Sequence, residues 1–172
     1  MLPTIFLNQF VGCFGSLYAM YKLGENMCGE SFTVDQTNEI PSISRFALLW
    51  ALQLVTTDIW FYVSHRFLHI QFVYQNIHAQ HHIYKAPTCL ETAYVHPIES
   101  IMTRCAVLVV IPHVVTRASL LEFYLWVCAV TFYQYQDHSG YWFPFLPSGM
   151  MHNYHHQRFL CCCVELSASL MI

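Results

Sequence analysis

Charge is what this chain has least of. Asp, Glu, Lys and Arg make up 10% of its 172 residues, against about 25% in an ordinary soluble domain. Lys and Arg total only 7, which leaves no basic face for nucleic acid. The N-terminus has neither a basic leader nor a small-x-small cleavage site, and this argues against a secretory signal peptide. No carboxylate is interleaved among the clustered histidines, as a hydrolytic zinc pair would usually require. No low-complexity tract is present.

What remains is apolar. The chain is 56% hydrophobic and 16% aromatic, its mean hydropathy is +0.39, and its formal charge is -3. This is the composition of a membrane protein, with the Tyr and Phe excess read as lipid-facing packing and an interfacial belt. The length suits one domain. The eight cysteines do not suggest the disulfide framework of a small secreted chain. They are read as reduced and mostly buried, with Cys161, Cys162 and Cys163 in an apolar tail rather than a palmitoylation site.

The pattern along the chain predicts helices. Leu2 to Leu23 reads as a membrane helix softened by Asn8 and Gln9, and Gly24 to Ser44 as a loop. Ile43 to Val63 matches a ~30 Å hydrocarbon core at ~1.5 Å per residue. Asp58, near its end, is expected to face the protein interior. Ser64 to Ser100 is polar and aromatic and is placed outside the hydrocarbon. Ile101 to Val115, interrupted by Pro112, and Leu120 to Tyr135 form a helical hairpin, either two thin spans or one re-entrant pair. Asp137 to Ser148 is a loop, and Gly149 to Phe159 a helix. The division expected is 1–44 for an N-terminal membrane helix and loop, 45–159 for a catalytic domain and 160–172 for a divergent tail.

The chemistry lies in histidine. His65 and His69 stand at i and i+4, one face of a helix. His78, His81 and His82 stand at i, i+3 and i+4, and His152, His155 and His156 repeat that triplet. His96 and His138 lie between the clusters, while His113 sits in an apolar run and reads as a core residue. Alone, a histidine pair is an ordinary helix-face feature; three such clusters on a membrane chain point to metal. Ten clustered imidazoles exceed one four-ligand site and would fill two. Neutral nitrogen ligands and the lack of interleaved carboxylates favour a redox centre with iron, although affinity order alone does not select iron over zinc or copper. His96 is also a candidate cap before Pro97, Asp137 a candidate to orient His138, and Glu91 and Glu99 candidate acceptors behind the ligands. The clusters can meet only if an even number of membrane crossings separates them, which the hairpin supplies in either form.

His65 to His69 (HRFLH), His78 to His82 (HAQHH), Tyr94 to Glu99 (YVHPIE), Asp137 to Gly140 (DHSG) and His152 to His156 (HNYHH) resemble the fatty acid hydroxylase and sterol desaturase superfamily, nearest its C4-methyl sterol oxidase branch. The resemblance covers about Ile43 to Phe159. It implies an all-α, polytopic membrane protein of the endoplasmic reticulum with a cytosolic, His-rich di-metal helical cap. It also implies a non-haem di-iron monooxygenase that uses O2, with zinc as a substitute metal, and that hydroxylates a lipid, foremost a sterol C4-methyl group. NAD(P)H would supply electrons through a reductase and cytochrome b5. The ligand set it carries over is His65, His69, His78, His81, His82, His96, His138, His152, His155 and His156. After Phe159 the sequence departs from the family pattern, as expected of a truncated or alternative product of a longer protein with weak activity. The other readings are a fatty acyl or sphingolipid hydroxylase, a non-catalytic regulatory or metal-binding membrane protein, and a metal transporter, whose ligands would sit mid-membrane.

Overall fold

A computed structural model describes residues 1–12, 14, 18, 42–116, 118–142 and 149–158, and all regular structure among them is helical. The expected loop between Gly24 and Pro41, the side chain of His113 and the tail after Arg158 lie outside the described residues.

The first segment is helical where it is described, as α1 (Leu2–Phe6) continued by a wider π-type stretch, Leu7–Gly12, and most of the expected helix from 13 to 23 lies outside the described residues. Its polar residues have specific partners. Buried Asn8 donates through Nδ2 to the carbonyls of Ala93 and Val95 at 3.0 and 2.8 Å, and Gln9 Nε2 donates to the Tyr135 hydroxyl at 2.6 Å.

Helix α2 (Ile43–Leu68) starts where the Ser42 hydroxyl accepts the Arg45 N–H. Its 26 residues rise about 39 Å, more than a ~30 Å hydrocarbon core needs. The expected end at Val63 is therefore too early: the helix runs on past Ser64 and carries His65 with it, His69 forming its C-cap. Among the described residues α2 alone is long and apolar enough to cross a membrane, and only 11% of its most apolar window is buried. A core helix of a soluble protein would be covered; here Ile43, Leu48, Val55, Ile59 and Val63 are exposed. Asp58 is half-buried.

After α2 come the short α3 (Gln71–Asn76) and two 3₁₀ turns, His78–Ile83 and Cys89–Ala93. Helix α4 (Pro97–Glu99) continues as a π-type helix, Ser100–Val115, that holds Pro112 without ending. Such winding usually occurs as single-turn insertions. Helix α5 (Leu120–Asp137) follows a turn closed by a capping box between Ser119 and Glu122. Helix α6 (Met150–Arg158) ends the described chain.

The contacts fix an up-down-up arrangement. Gln53 Nε2 donates to Thr116 Oγ1 at 2.8 Å and Trp60 Nε1 to the Met102 carbonyl at 2.8 Å, so Ser100–Val115 runs antiparallel to α2. Arg45 pairs with Glu122 at 3.3 Å and Trp50 meets Trp126 edge-on at 5.8 Å, so α5 returns parallel to α2. The hairpin thus brings the end of α5 beside the end of α2, as the crossing argument requires. The core between these helices includes Trp126, Val107 and Cys105. The cysteine expectation holds only in part: among the described cysteines none is bonded, Cys105 is buried, and Cys89 and Cys128 are exposed. They lie on outward faces of their elements.

Candidate metal centre

Nine of the ten candidate histidines meet where α2 and α5 end. The last turn and cap of α2 supply His65 and His69, the 3₁₀ turn supplies His78, His81 and His82, the α5 C-cap supplies His138, and α6 supplies His152, His155 and His156. The first triplet is thus wound as 3₁₀ rather than as the α-helix its spacing suggests, and it ends where Tyr84 turns extended. Ligand nitrogens fall into two groups, each within 4.8 Å: His65, His69, His78 and His155, and His81, His138, His152 and His156. Each group borrows from the other's triplet. His155 leaves its own triplet for the first group, and His81 does so for the second. His82 lies between them, its Nε2 3.1 Å from His78 Nε2 and its ring centroid 4.8 Å from His155 and 4.6 Å from His156.

His96 belongs to neither group. Its Nδ1 accepts the Ile98 N–H at 3.2 Å, the capping role open to a residue before Pro97. Glu91 also has a local task, accepting the Thr88 N–H at 2.7 Å in a capping box. Glu99 does stand behind a histidine, with Oε1 2.9 Å from His78 Nδ1. Asp137 does not orient His138 as its adjacency suggests. Its Oδ2 lies 3.4 Å from His152 Nδ1, while His138 Nδ1 donates to the Gln134 carbonyl at 3.0 Å. An aspartate ending a helix reaches across to α6 more easily than to its own neighbour. Gly149 permits this approach: a Cβ there would collide with the Asp137 carbonyl. That close approach, and the Asn8 clasp, carry no periodic or motif signal in the sequence.

All the gathered rings except half-buried His69 are buried, and burial favours the neutral form. Burial, reinforced by neighbouring imidazoles, lowers His78 to about 2. Burial also takes His138 to about 3 despite the Gln134 carbonyl, and His156 to about 4 despite a hydrogen bond with the Tyr84 backbone. Neutral imidazole is the metal-binding form. The arrangement fits an ion on two counts. His81 Nδ1 is buried without a hydrogen-bond partner, which native interiors rarely tolerate. Facing Nε2 atoms also stand close: 2.9 Å for His138–His152 and His152–His156, 3.0 Å for His65–His155 and 3.1 Å for His69–His155. His138 must carry its proton on Nδ1 to serve Gln134. That leaves the His138 Nε2 lone pair facing His152 Nε2 across 2.9 Å.

The model of the family described as Fatty acid hydroxylase matches residues 50–168. The chain belongs to the fatty acid hydroxylase family. Fatty acid hydroxylase domain-containing protein 2 of Homo sapiens is 35% identical over 164 residues, which is 94% of this chain and 46% of that protein. A putative methylsterol monooxygenase of Dictyostelium discoideum is 31% identical over 70% of this chain and 47% of its own length. The very-long-chain aldehyde decarbonylase GL1-11 of rice, Oryza sativa subsp. japonica, is 33% identical over 60% of this chain and 41% of its own. The chain therefore spans about half the length of the curated relatives it matches. No solved structure matches. Members of this family are oxidative enzymes, generally membrane-bound and known for iron-dependent oxidation, and the two histidine groups are able to hold metal.

Proposed function

We propose that this chain is the metal-binding part of an O2-dependent, di-iron membrane oxidoreductase that acts on a lipid, foremost a sterol C4-methyl group. The observation that carries the reading is the gathering of eight imidazoles into two adjacent groups of four, with His82 between them, at the end of a helix whose apolar surface is uncovered. Two ions, one per group, would supply O2 activation and accept electrons one at a time. Iron is favoured over zinc by the neutral nitrogen ligand set and by the iron-dependent oxidation known for the family.

The chain's own residues bind and orient the ions, exclude water from the second group and leave an approach at half-buried His69. The ligands are His65, His69, His78, His81, His82, His138, His152, His155 and His156, with His96 as support. Their place at helix ends, not mid-span, speaks against a transporter. We further place the chain in the endoplasmic reticulum membrane. The hairpin joins α2 in a multi-pass arrangement, and the His-rich end faces the cytosol, where a reductase and cytochrome b5 deliver electrons. A fatty acyl or sphingolipid substrate is the second reading, favoured by the family description itself. Metal analysis of purified protein tests the centre: close to two ions per chain is expected, and a folded, metal-free wild type overturns it. NADH- and O2-dependent oxidation of a 4-methylsterol against a fatty acid, in microsomes, separates the substrates.

A further inference from the structure

The two triplets have something in common that their sequences do not reveal. In each, the first histidine faces a buried carboxylate through Nδ1: His78 with Glu99 at 2.9 Å, and His152 with Asp137 at 3.4 Å. In each, the Nε2 of that same histidine points at the third of its triplet, 3.1 Å to His82 and 2.9 Å to His156. The pairs are 0% and 4% exposed for His78 and Glu99, and 4% and 6% for His152 and Asp137, so water does not compete for either contact; both are close approaches by distance, and His78 Nδ1 and Asp137 Oδ2 have no aligned hydrogen bond. The carboxylates come from different elements, Glu99 from the end of α4 and Asp137 from the end of α5.

We propose that Glu99 and Asp137 are matched positioning residues, one per metal, each holding the first histidine of a triplet with its proton on Nδ1 and its Nε2 lone pair toward the ion. This rests on the two-metal reading above. An imidazole has two tautomers, and only one leaves Nε2 free; a carboxylate at Nδ1 selects it, fixes the ring plane and raises the basicity of Nε2. The cost is a carboxylate away from water. Burial alone raises both acids, and Arg104 opposes this at Glu99. Arg104 is itself buried, donates to the Thr92 carbonyl at 3.0 Å and stands five residues beyond Glu99, the hydrogen-bonding interval of the π-type helix. That wide winding keeps a cation near enough to oppose the effect of burial on the acid.

The experiment compares wild type with Glu99→Gln, Asp137→Asn and Glu99→Ala in nanodiscs, using Co(II) as a spectroscopic probe and iron for occupancy. Glu122→Gln is the control, since Glu122 is a buried acid at the opposite end of the bundle. Each isosteric variant should fold, bind metal ~10–100-fold more weakly and change the ligand-field spectrum of one ion, while Glu122→Gln binds as wild type. Wild-type affinity and spectra in both Glu99→Gln and Asp137→Asn overturn the proposal, whether or not Glu99→Ala folds. Nitrogen-15 shifts of His78 and His152 in metal-free protein separate this from the two-metal reading. Nδ1–H tautomers at both support the positioning role even where no metal binds, and Nε2–H tautomers at both overturn it.

Discussion

The two imidazole groups have the same chemistry and different surroundings. The first, His65, His69, His78 and His155, draws on the end of a helix that is otherwise uncovered and has one half-buried member, His69. The second, His81, His138, His152 and His156, is buried at every position and draws on the ends of α5 and α6. His82 adds a ninth nitrogen beside His78. The first group is therefore more open and the second sealed, with His82 between them. The difference teaches that a duplicated motif does not make equivalent sites. Each triplet sends its middle histidine across, so the groups are mechanically linked although they are chemically separate.

That linkage is the first thing to break. His155→Ala removes the α6 contribution to the first group and should release one of the two ions, lowering turnover at least about 100-fold, beyond what loss of a supporting residue costs. His81→Ala should do the same to the second. Metal counting by mass spectrometry checks both, and two retained ions in either variant would show that the crossing histidines are not ligands. Gly149→Ala should be next in size. Its methyl must push α6 away from the Asp137 backbone, an overpacking that costs about 1–3 kcal/mol. The ion of the second group should be lost first, and thermal melting of holoprotein read beside metal content would reveal it.

The pH response sharpens the comparison further. In metal-free protein His78 and His156 are held to about 2 and about 4, below the ordinary 6.5 of an unfolded histidine. The unfolded chain thus binds protons that the folded chain refuses, and stability falls as pH drops. The contribution is whole above 6.5, begins to fail below it, and is spent for His156 near 4 and for His78 near 2. Glu99 and Asp137, both raised by burial, act in the opposite direction as pH falls. In Glu99→Gln/Asp137→Asn metal-free protein, where only the histidine contribution remains, the melting temperature should decline from pH 7 to 4, and a flat profile there would contradict neutral, buried rings. The smallest effect is expected far from the histidines. Gln53→Leu removes the bond to Thr116, worth about 0.6–1.7 kcal/mol between membrane helices, and should lower the melting point without changing the number of ions.

Much of the site was legible in the residues themselves. The i, i+3 and i+4 spacings and the duplicated triplet mark metal chemistry at once, because ligand spacing is local and survives any fold that keeps a helical turn. Hydropathy likewise marks α2, since the hydrocarbon core demands a long apolar run. The end of that helix was less legible: the polar residues after Val63 look like an exit from the helix and are in fact its continuation. Asp137 shows the limit most clearly. Adjacency pairs it with His138, while the structure pairs it with His152.

The sequence by itself determined the chemistry on offer: neutral nitrogen donors in number enough for two four-ligand groups, on an apolar chain with few charges. Only the tertiary structure decided which nitrogens stand together. The exchange of His81 and His155, the cap at His96 and the two carboxylates behind His78 and His152 all depend on how α2, α5 and α6 end against one another. Periodicity reports the face of a single helix. It contains no term for the side chain that a second helix, arriving from elsewhere in the chain, places a hydrogen bond away.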